Sequence, residues 1–211
     1  MKADSHCLDI GSNFGYFTVL MGSLASRGKV IAVEAEQRIA ELARDNVVVN
    51  NLIERVQVRH GAVNGTGEEV VMFRRVGRSG NTSMAHCGED FTTLLGEPAE
   101  QEFRVQGIRI DDLLDSMGGR VDFMKVDIEG AEPLAFAGAA TTIATNPQIN
   151  VVMEWSPGQI RAAGFDVAAF LGDLGVMGLR PFILRRRGVE ALSFEDVLHL
   201  PYQAGLLLKR G

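Results

Sequence analysis

Four carboxylates stand where strands of a predicted sheet end. Asp9, Glu34, Asp127 and Glu154 each close a largely apolar stretch of strand length. Because the carboxyl ends of parallel strands meet at one edge of a sheet, we expect these side chains to gather there. Carboxylates in that position can bind hydroxyl or ammonium groups, take up protons, or cap the next helix. The sequence therefore predicts a polar site at the rim of an apolar sheet.

A glycine-rich turn follows the first of these strands. Gly11 and Gly15 flank three residues between the predicted strand His6–Ile10 and a predicted helix. Gly11 permits a sharp turn and close approach of the backbone, and Gly15 lets the helix begin against the strand. The spacing is GxxxG, without GxGxxG and without a following GK[ST], so it argues against a pyrophosphate site of nicotinamide enzymes or P-loop proteins. A ligand without phosphate fits this turn better.

S-adenosylmethionine is the cofactor that these features favour. We expect its ammonium near Asp9 and its carboxylate near the amides of the glycine loop. Glu34 offers two acceptor oxygens, which suit the two hydroxyls of a ribose. The residues predicted to bind the cofactor are Asp9, Gly11, Ser12, Asn13, Gly15, Tyr16, Phe17, Glu34, Ala35, Ala62, Val63 and Asp127.

The elements that must position these residues alternate between strand and helix. The first three strands are predicted at His6–Ile10, Lys29–Glu34 and Val56–His60, with a helix in each interval. This alternation predicts an α/β fold, with a Rossmann-like, doubly wound, mostly parallel sheet of seven strands. Residues from about 64 to 106 interrupt the pattern and are predicted to be an inserted β and loop segment, of which 77–102 covers the acceptor side. The later strands are predicted at 121–128, 149–155, 181–185 and 204–209, and the later helices at 110–117, 132–145 and 159–174.

Composition limits the possible partners. The chain has 211 residues, of which 46% are hydrophobic, and we predict one domain over 1–211. Its net charge of −6 argues against nucleic acid or an anionic membrane as the main partner, and no apolar run approaches the length of a membrane span. Cys7 and Cys87 form no metal-binding or disulfide pattern, so a cytoplasmic setting and no metal are expected.

Two motifs resemble those of the FkbM-type S-adenosylmethionine-dependent methyltransferases. Residues Asp9–Thr18 are similar to the family's D-I-G-A-N-x-G-Y-F-T opening, and Val33-Glu34 with Asn46 and Asn50 resembles its second block. The stretch 122–132, DFMKVDIEGAE, resembles the signature D-x-x-K-x-D-x-E-G-A-E. The chain departs from the family pattern in having Ala35 in place of a usual proline and Ser12 in place of a common alanine.

The resemblance implies the class I methyltransferase fold and methyl transfer, usually to a hydroxyl oxygen of a sugar or natural product. Asp127 would lie beside the methyl position, where it either holds the cofactor's ammonium or acts on the acceptor. Glu154 and His86 are the other catalytic candidates. Glu129 and Glu132 belong to the same rim, where mutual repulsion raises a pKa, or they open the next helix and interact with its positive end.

Two other functions remain open at this point. A non-catalytic S-adenosylmethionine-binding module of a larger protein would need the same cofactor pocket without an acceptor site. A nicotinamide-dependent oxidoreductase is disfavoured by the spacing of the glycines. The sequence leaves the acceptor molecule and the oligomeric state undetermined.

Overall fold

The main sheet has a parallel centre and an antiparallel side. The computed structural model describes residues 1–75, 82–83 and 100–211. Within them, the strands are β1 (His6–Ile10), β2 (Lys29–Glu34), β3 (Val56–His60), β4 (Ala62–Val63), β5 (Val70–Arg75), β6 (Thr82–Ser83), β7 (Glu100–Val105), β8 (Gly107–Ile108), β9 (Phe123–Val126), β10 (Asn150–Trp155), β11 (Leu179–Arg185), β12 (Gly188–Ala191) and β13 (Gln203–Arg210). The eight-stranded sheet has the order β12-β11-β13-β10-β9-β1-β2-β3. Strands β10, β9, β1, β2 and β3 are parallel, whereas β13, β11 and β12 join them by antiparallel pairing.

The helices connect these strands. They are α1 (Tyr16–Leu24), α2 (Gln37–Val49), α3 (Glu132–Ala137), α4 (Ala140–Thr145), α5 (Pro157–Ala162), α6 (Val167–Val176) and α7 (Phe194–Leu198). Two 3-10 helices, Ile110–Leu113 and Asp115–Met117, precede β9. Among the described residues, no helix is long and apolar enough to cross a membrane.

The order of the strands fixes where a ligand can bind. The chain runs outward from β1 through β2 to β3, and later occupies the other side of β1 with β9 and β10. The direction of winding therefore reverses between β1 and β9. In open α/β sheets the crevice beyond the carboxyl ends of the strands at this point is the usual ligand site.

Two buried clusters cover the two faces of the sheet. Leu8 belongs to the larger cluster, with side chains of α3 and α6, whereas its neighbour Cys7 belongs to a smaller cluster with α1. Alternate residues of a strand point to opposite faces, so both faces of β1 are buried. Burial of each large apolar side chain contributes about 1.5–3 kcal/mol. Cys7 is a buried free thiol.

The α/β class and the mostly parallel sheet are confirmed, and the boundaries differ in detail. β12 adds an eighth strand at the edge as the second half of a hairpin, and its residues are exposed. The two long helices predicted after β9 and β10 are each divided, since Gly138 ends α3 and Gly164, at φ +88°, follows α5. The predicted helix at 110–117 is the pair of 3-10 helices.

The predicted insertion contains a small antiparallel sheet of order β6-β5-β7. Most of 77–102, which was predicted to cover the acceptor side, lies outside the described residues. The single domain over 1–211 stays a prediction.

Candidate active site

A cavity of about 390 Å³ opens at the reversal point of the sheet. Of the predicted residues, Gly11, Ser12, Asn13, Tyr16, Phe17, Glu34, Ala35, Ala62, Val63, Asp127 and Glu154 line it. Met72 of the inserted sheet also lines the cavity and packs with Ala62. The ends of four strands and the inserted sheet therefore share one cavity, which has the size of a small-molecule site.

The glycine turn is held by the protein's own hydrogen bonds. The amides of Gly11 and Ser12 both donate to the carbonyl oxygen of Val33 at 3.0 Å. The next amides also have partners, since Asn13 N donates to Glu34 and Gly15 N donates to Ser12 O. These amides are therefore already used, and the prediction that they hold a cofactor carboxylate is not supported.

The two glycines have different roles. Gly11 has φ +74°, and a Cβ there would lie 1.9 Å from the carbonyl oxygen of Asp127. This position needs glycine because the turn passes directly against the end of β9. Gly15 does not line the cavity, and a Cβ there would lie 3.3 Å from Ala43 of α2. Gly15 was predicted to bind the cofactor, but the structure places it between helices.

Glu34 is fixed at the rim by two backbone donors. Its Oε2 accepts from Asn13 N at 2.9 Å, and its Oε1 accepts from Glu36 N at 2.9 Å. Burial raises the pKa of Glu34, and these backbone hydrogen bonds oppose the rise. Each carboxylate oxygen retains a further lone pair, so Glu34 can still accept hydrogen bonds from a diol in the cavity.

Asp9, which was predicted to contact an ammonium group, does not line the cavity. It lies on the same face of β1 as Cys7, where α1 covers the strand, and it is fully buried. The hydroxyl of Thr18 donates to Asp9 Oδ2. Burial raises the pKa of Asp9, and the positive charge of Lys125 opposes this effect. Asp9 is thus a buried partner of Lys125.

Lys125 is a site residue that the sequence reasoning missed. Its Nζ lies 3.0 Å from Asp127 Oδ2, 3.7 Å from Asp9 Oδ1 and 3.2 Å from the carbonyl oxygen of Gly11. The ammonium also lies 5.3 Å from the centre of the Phe17 ring. The available signal was a single lysine inside the apolar strand β9, where a charge needs a partner.

Three glutamates lie beyond Asp127. Burial, followed by the charge of Glu154, raises the pKa of Glu129 to about 7. The pKa of Glu154 is raised mainly by burial and then by Asp127, while the nearby hydroxyl of Tyr202 lowers it. Repulsion among these acids was predicted to raise a pKa, and here it acts in addition to burial.

Glu132 has a different environment. It is 1% exposed, and burial raises its pKa to about 7. Its Oε1 accepts from the amides of Ile128 and Gly130 at 3.1 and 3.4 Å. Glu132 therefore begins α3 while its carboxylate supports the preceding loop, and Glu129 lies outside the helix.

The charged residues that line the cavity are mostly acidic. In the part of the chain that the structure describes, they are one lysine and four carboxylates: Lys125, Glu34, Asp127, Glu129 and Glu154. This distribution favours a ligand with positive charge. Among the same residues, no group of three or more His, Cys, Asp or Glu is arranged to hold a metal ion. His86 lies outside the described residues.

Comparison with known proteins gives a family match. A model described as "Methyltransferase FkbM domain" matches residues 9–176. No curated protein sequence matches the chain. A methyltransferase FkbM from Methylobacillus flagellatus KT superposes with a TM-score of 0.54 and 15% identity, over 99% of this chain and 44% of that one. This chain therefore spans less than half of that protein.

A second solved structure is the O-methyltransferase from Bacillus cereus in complex with SAH. It has a TM-score of 0.53 and 16% identity, over 98% of this chain and 73% of that one. At these identities the likeness shows a shared fold, and the main sheet has the Rossmann-like architecture of these methyltransferases.

Proposed function

The chain belongs to the FkbM methyltransferase family, and from this premise we propose that it transfers a methyl group from S-adenosylmethionine to a hydroxyl oxygen of a small molecule, such as a sugar or natural product. The observation that carries the proposal is the position of Glu34. Its two oxygens are held by backbone amides at the rim of a cavity that also contains the glycine turn. A ribose with two adjacent hydroxyls matches this arrangement.

The residues fit S-adenosylmethionine in shape and in charge. The apolar side chains of Ala62, Val63 and Met72 provide a surface for the adenine. Gly11 gives the backbone the close approach that a side chain would block. The surplus of carboxylates suits a ligand with an ammonium and a sulfonium. When bound, this cofactor supplies an electrophilic methyl group on a positively charged sulfur.

The amino-acid end of the cofactor is assigned to Asp127 and the start of α1. Lys125 holds Asp127 at the cavity wall, where its carboxylate can bind the ammonium. Tyr16 and Phe17 belong to the first turn of α1 and line the cavity. The positive end of a helix attracts an anion, so this turn replaces the glycine-loop amides as the place for the cofactor's carboxylate.

Glu154 and Tyr202 are assigned to the acceptor side. Burial raises the pKa of Glu154, the nearby hydroxyl of Tyr202 opposes this rise, and the carboxylates around Glu154 disfavour an anionic acceptor. Holding a neutral hydroxyl group in line with the methyl group contributes much of the rate acceleration. A module that only binds the cofactor needs no polar residues on the acceptor side. This assignment therefore favours an enzyme over such a module.

A nicotinamide cofactor fits the cavity poorly. Its pyrophosphate carries negative charge and would face Glu34 and Asp127. The amides of Gly11 and Ser12, which a dinucleotide loop offers to phosphate, donate instead to Val33. The net charge of −6 favours a small-molecule acceptor over nucleic acid. A cytoplasmic location stays a prediction.

A labelling experiment tests this function. The protein is incubated with methyl-labelled S-adenosylmethionine and a panel of sugars and natural-product alcohols, together with matched amines and thiols. We expect acceptor-dependent release of S-adenosylhomocysteine and label on an oxygen atom, and a lower turnover with the Glu34→Ala variant at the same cofactor concentration. Label on nitrogen or sulfur would overturn the choice of atom. Tight binding of the cofactor without any turnover would favour the binding module.

A further inference from the structure

Glu129 has an unusual backbone conformation at the cavity wall. It has φ +57°, and Gly130 after it has φ +99°. Residues with a side chain rarely adopt the left-handed region, and those that do cluster at functional sites. A Cβ at Gly130 would lie 2.5 Å from the carbonyl oxygen of Gln159, so α5 closes directly over this turn. The packed helix therefore holds Glu129 in a conformation that its sequence does not favour.

The conformation brings the Glu129 side chain to the cavity. The side chain is half-buried and lines the cavity beside Asp127 and Glu154. The side-chain amide of Gln159 donates to its Oε2. One helix thus supplies both the backbone that closes the turn and the hydrogen bond that orients the carboxylate.

The neighbouring charges distinguish Glu129 from the other acids. Asp127 is paired with a cation, since its Oδ2 lies 3.0 Å from the ammonium of Lys125. Burial raises the pKa of Glu154, but the nearby hydroxyl of Tyr202 and the charge of Lys125 oppose that rise. The charged groups that act on Glu129 are Glu154, Asp127 and Glu132, and all of them are acidic. Burial and these charges raise its pKa to about 7, the range in which a general base is most effective near neutral pH.

Resting on the proposed methyl transfer, we propose that Glu129 takes the proton from the acceptor hydroxyl and that Gln159 is its positioning residue. The acceptor oxygen forms a bond to the methyl carbon, and the bond from that carbon to sulfur breaks with its electron pair left on sulfur. The hydroxyl proton passes to the Glu129 carboxylate and then to solvent. Asp127 is left to bind the cofactor.

The proposal predicts a defined pH dependence. The rate rises as Glu129 ionises, with a midpoint near pH 7. The groups around it are Asp127 at the end of β9, Glu132 of α3, Glu154 of β10, Gln159 of α5 and Tyr202 before β13. Because the hydrogen bond from Gln159 lowers the pKa of Glu129, its removal shifts the rise in rate to higher pH. A purely structural role of Gln159 gives no such shift.

The test compares the wild type with Glu129→Gln, Gln159→Ala and the control Glu195→Gln, whose side chain is exposed on α7. The measurements are kcat and KM from pH 5.5 to 9, the Kd for S-adenosylhomocysteine, and thermal unfolding. We expect Glu129→Gln to lose roughly 100-fold or more in kcat, with the Kd unchanged and the rise near pH 7 abolished. Gln159→Ala should show a smaller loss and the upward shift, and Glu195→Gln should match the wild type.

The outcomes separate this inference from the proposed function. If the wild type turns over and Glu129→Gln retains a similar kcat and pH profile, the role of Glu129 is wrong while methyl transfer stands. If the wild type neither binds S-adenosylhomocysteine nor turns over, the proposed function is wrong, and the inference falls with it. If Glu129→Gln does not fold, the pH profile of Gln159→Ala decides, and an unshifted profile overturns the proposal.

Discussion

Lys125 Nζ lies 3.0 Å from Asp127 Oδ2 and 3.2 Å from the carbonyl oxygen of Gly11. One cation therefore ties the end of β9 to the glycine turn that follows β1. The same ammonium lies 3.7 Å from the buried Asp9. Lys125 thus connects β1, the glycine turn and the end of β9. We infer that this charge positions the three segments around the candidate cofactor site in the ligand-free protein.

Replacing Lys125 by Met should destabilise the protein in a pH-dependent way. Asp9 would lose its positive partner inside the protein, and the cost of breaking such a buried pair is about 3 kcal/mol. With Lys125 absent, the pKa of Asp9 lies above its unfolded value, so stability is retained at low pH and lost as pH rises. Urea unfolding at pH 5 and pH 8 checks this. The matched double variant Asp9→Asn with Lys125→Met should recover stability, and failure to recover it would contradict the pairing.

The Gly11→Ala variant should lose both stability and cofactor binding. Its Cβ would overlap the carbonyl oxygen of Asp127, and its φ of +74° disfavours any side chain. We expect a loss of about 1–3 kcal/mol in the free energy of unfolding. Gly172→Ala is the control, since nothing lies within 4 Å of its Cβ and it is inside α6. That variant should gain about 0.5–1 kcal/mol. Equal unfolding energies for the two variants would contradict the close approach at Gly11.

Asp127→Asn should weaken binding of S-adenosylhomocysteine together with the rate. A hydrogen bond to a charged group contributes about 1.5–3 kcal/mol, so the Kd should rise roughly 10- to 150-fold. Calorimetry measures this, with the exposed Asp173→Asn as control. A large fall in kcat with an unchanged Kd would instead assign Asp127 to the acceptor.

Glu129→Gln should stabilise the protein at alkaline pH. The folded-state pKa of about 7 lies above the ordinary glutamate value of 4.5, so ionisation of Glu129 above that range opposes folding. Stability associated with the protonated form is present below pH 4.5 and is lost as pH rises toward 7. The variant removes this cost. At pH 8 we expect its free energy of unfolding to exceed that of the wild type by about 1–3 kcal/mol, after allowing for partial exposure of the side chain. Thermal unfolding at pH 5 should show a smaller difference, and a gain that is equal at both pH values would contradict the raised pKa.

The sequence predicted the sheet and much of its rim because strand ends are visible in the apolar pattern. Glu34, Asp127 and Glu154 each lie at the end of such a strand, and all three line the cavity. The sequence did not show to which face of β1 the side chain of Asp9 points. Cys7, Leu8 and Ile10 around it are all buried, so β1 has no polar and apolar alternation that marks a face.

Other features depend on contacts that only the folded chain creates. The partners of Lys125 come from a residue two positions away and from Asp9 and Gly11 on another strand and turn. The left-handed conformation of Glu129 depends on Gln159 of α5, thirty positions along the chain. The edge strand β12 was missed because it is short and exposed.

Calorimetry of S-adenosylhomocysteine binding to the wild type and to Glu34→Ala tests the central claim most directly. The exposed Glu54→Ala serves as the control, and NAD as the competing ligand. The account predicts one site for S-adenosylhomocysteine and no binding of NAD. The free energy of binding should fall by about 1.5–3 kcal/mol in Glu34→Ala and stay unchanged in Glu54→Ala. A folded wild type that fails to bind S-adenosylhomocysteine, or a folded Glu34→Ala that binds it as tightly as the wild type, would contradict the account.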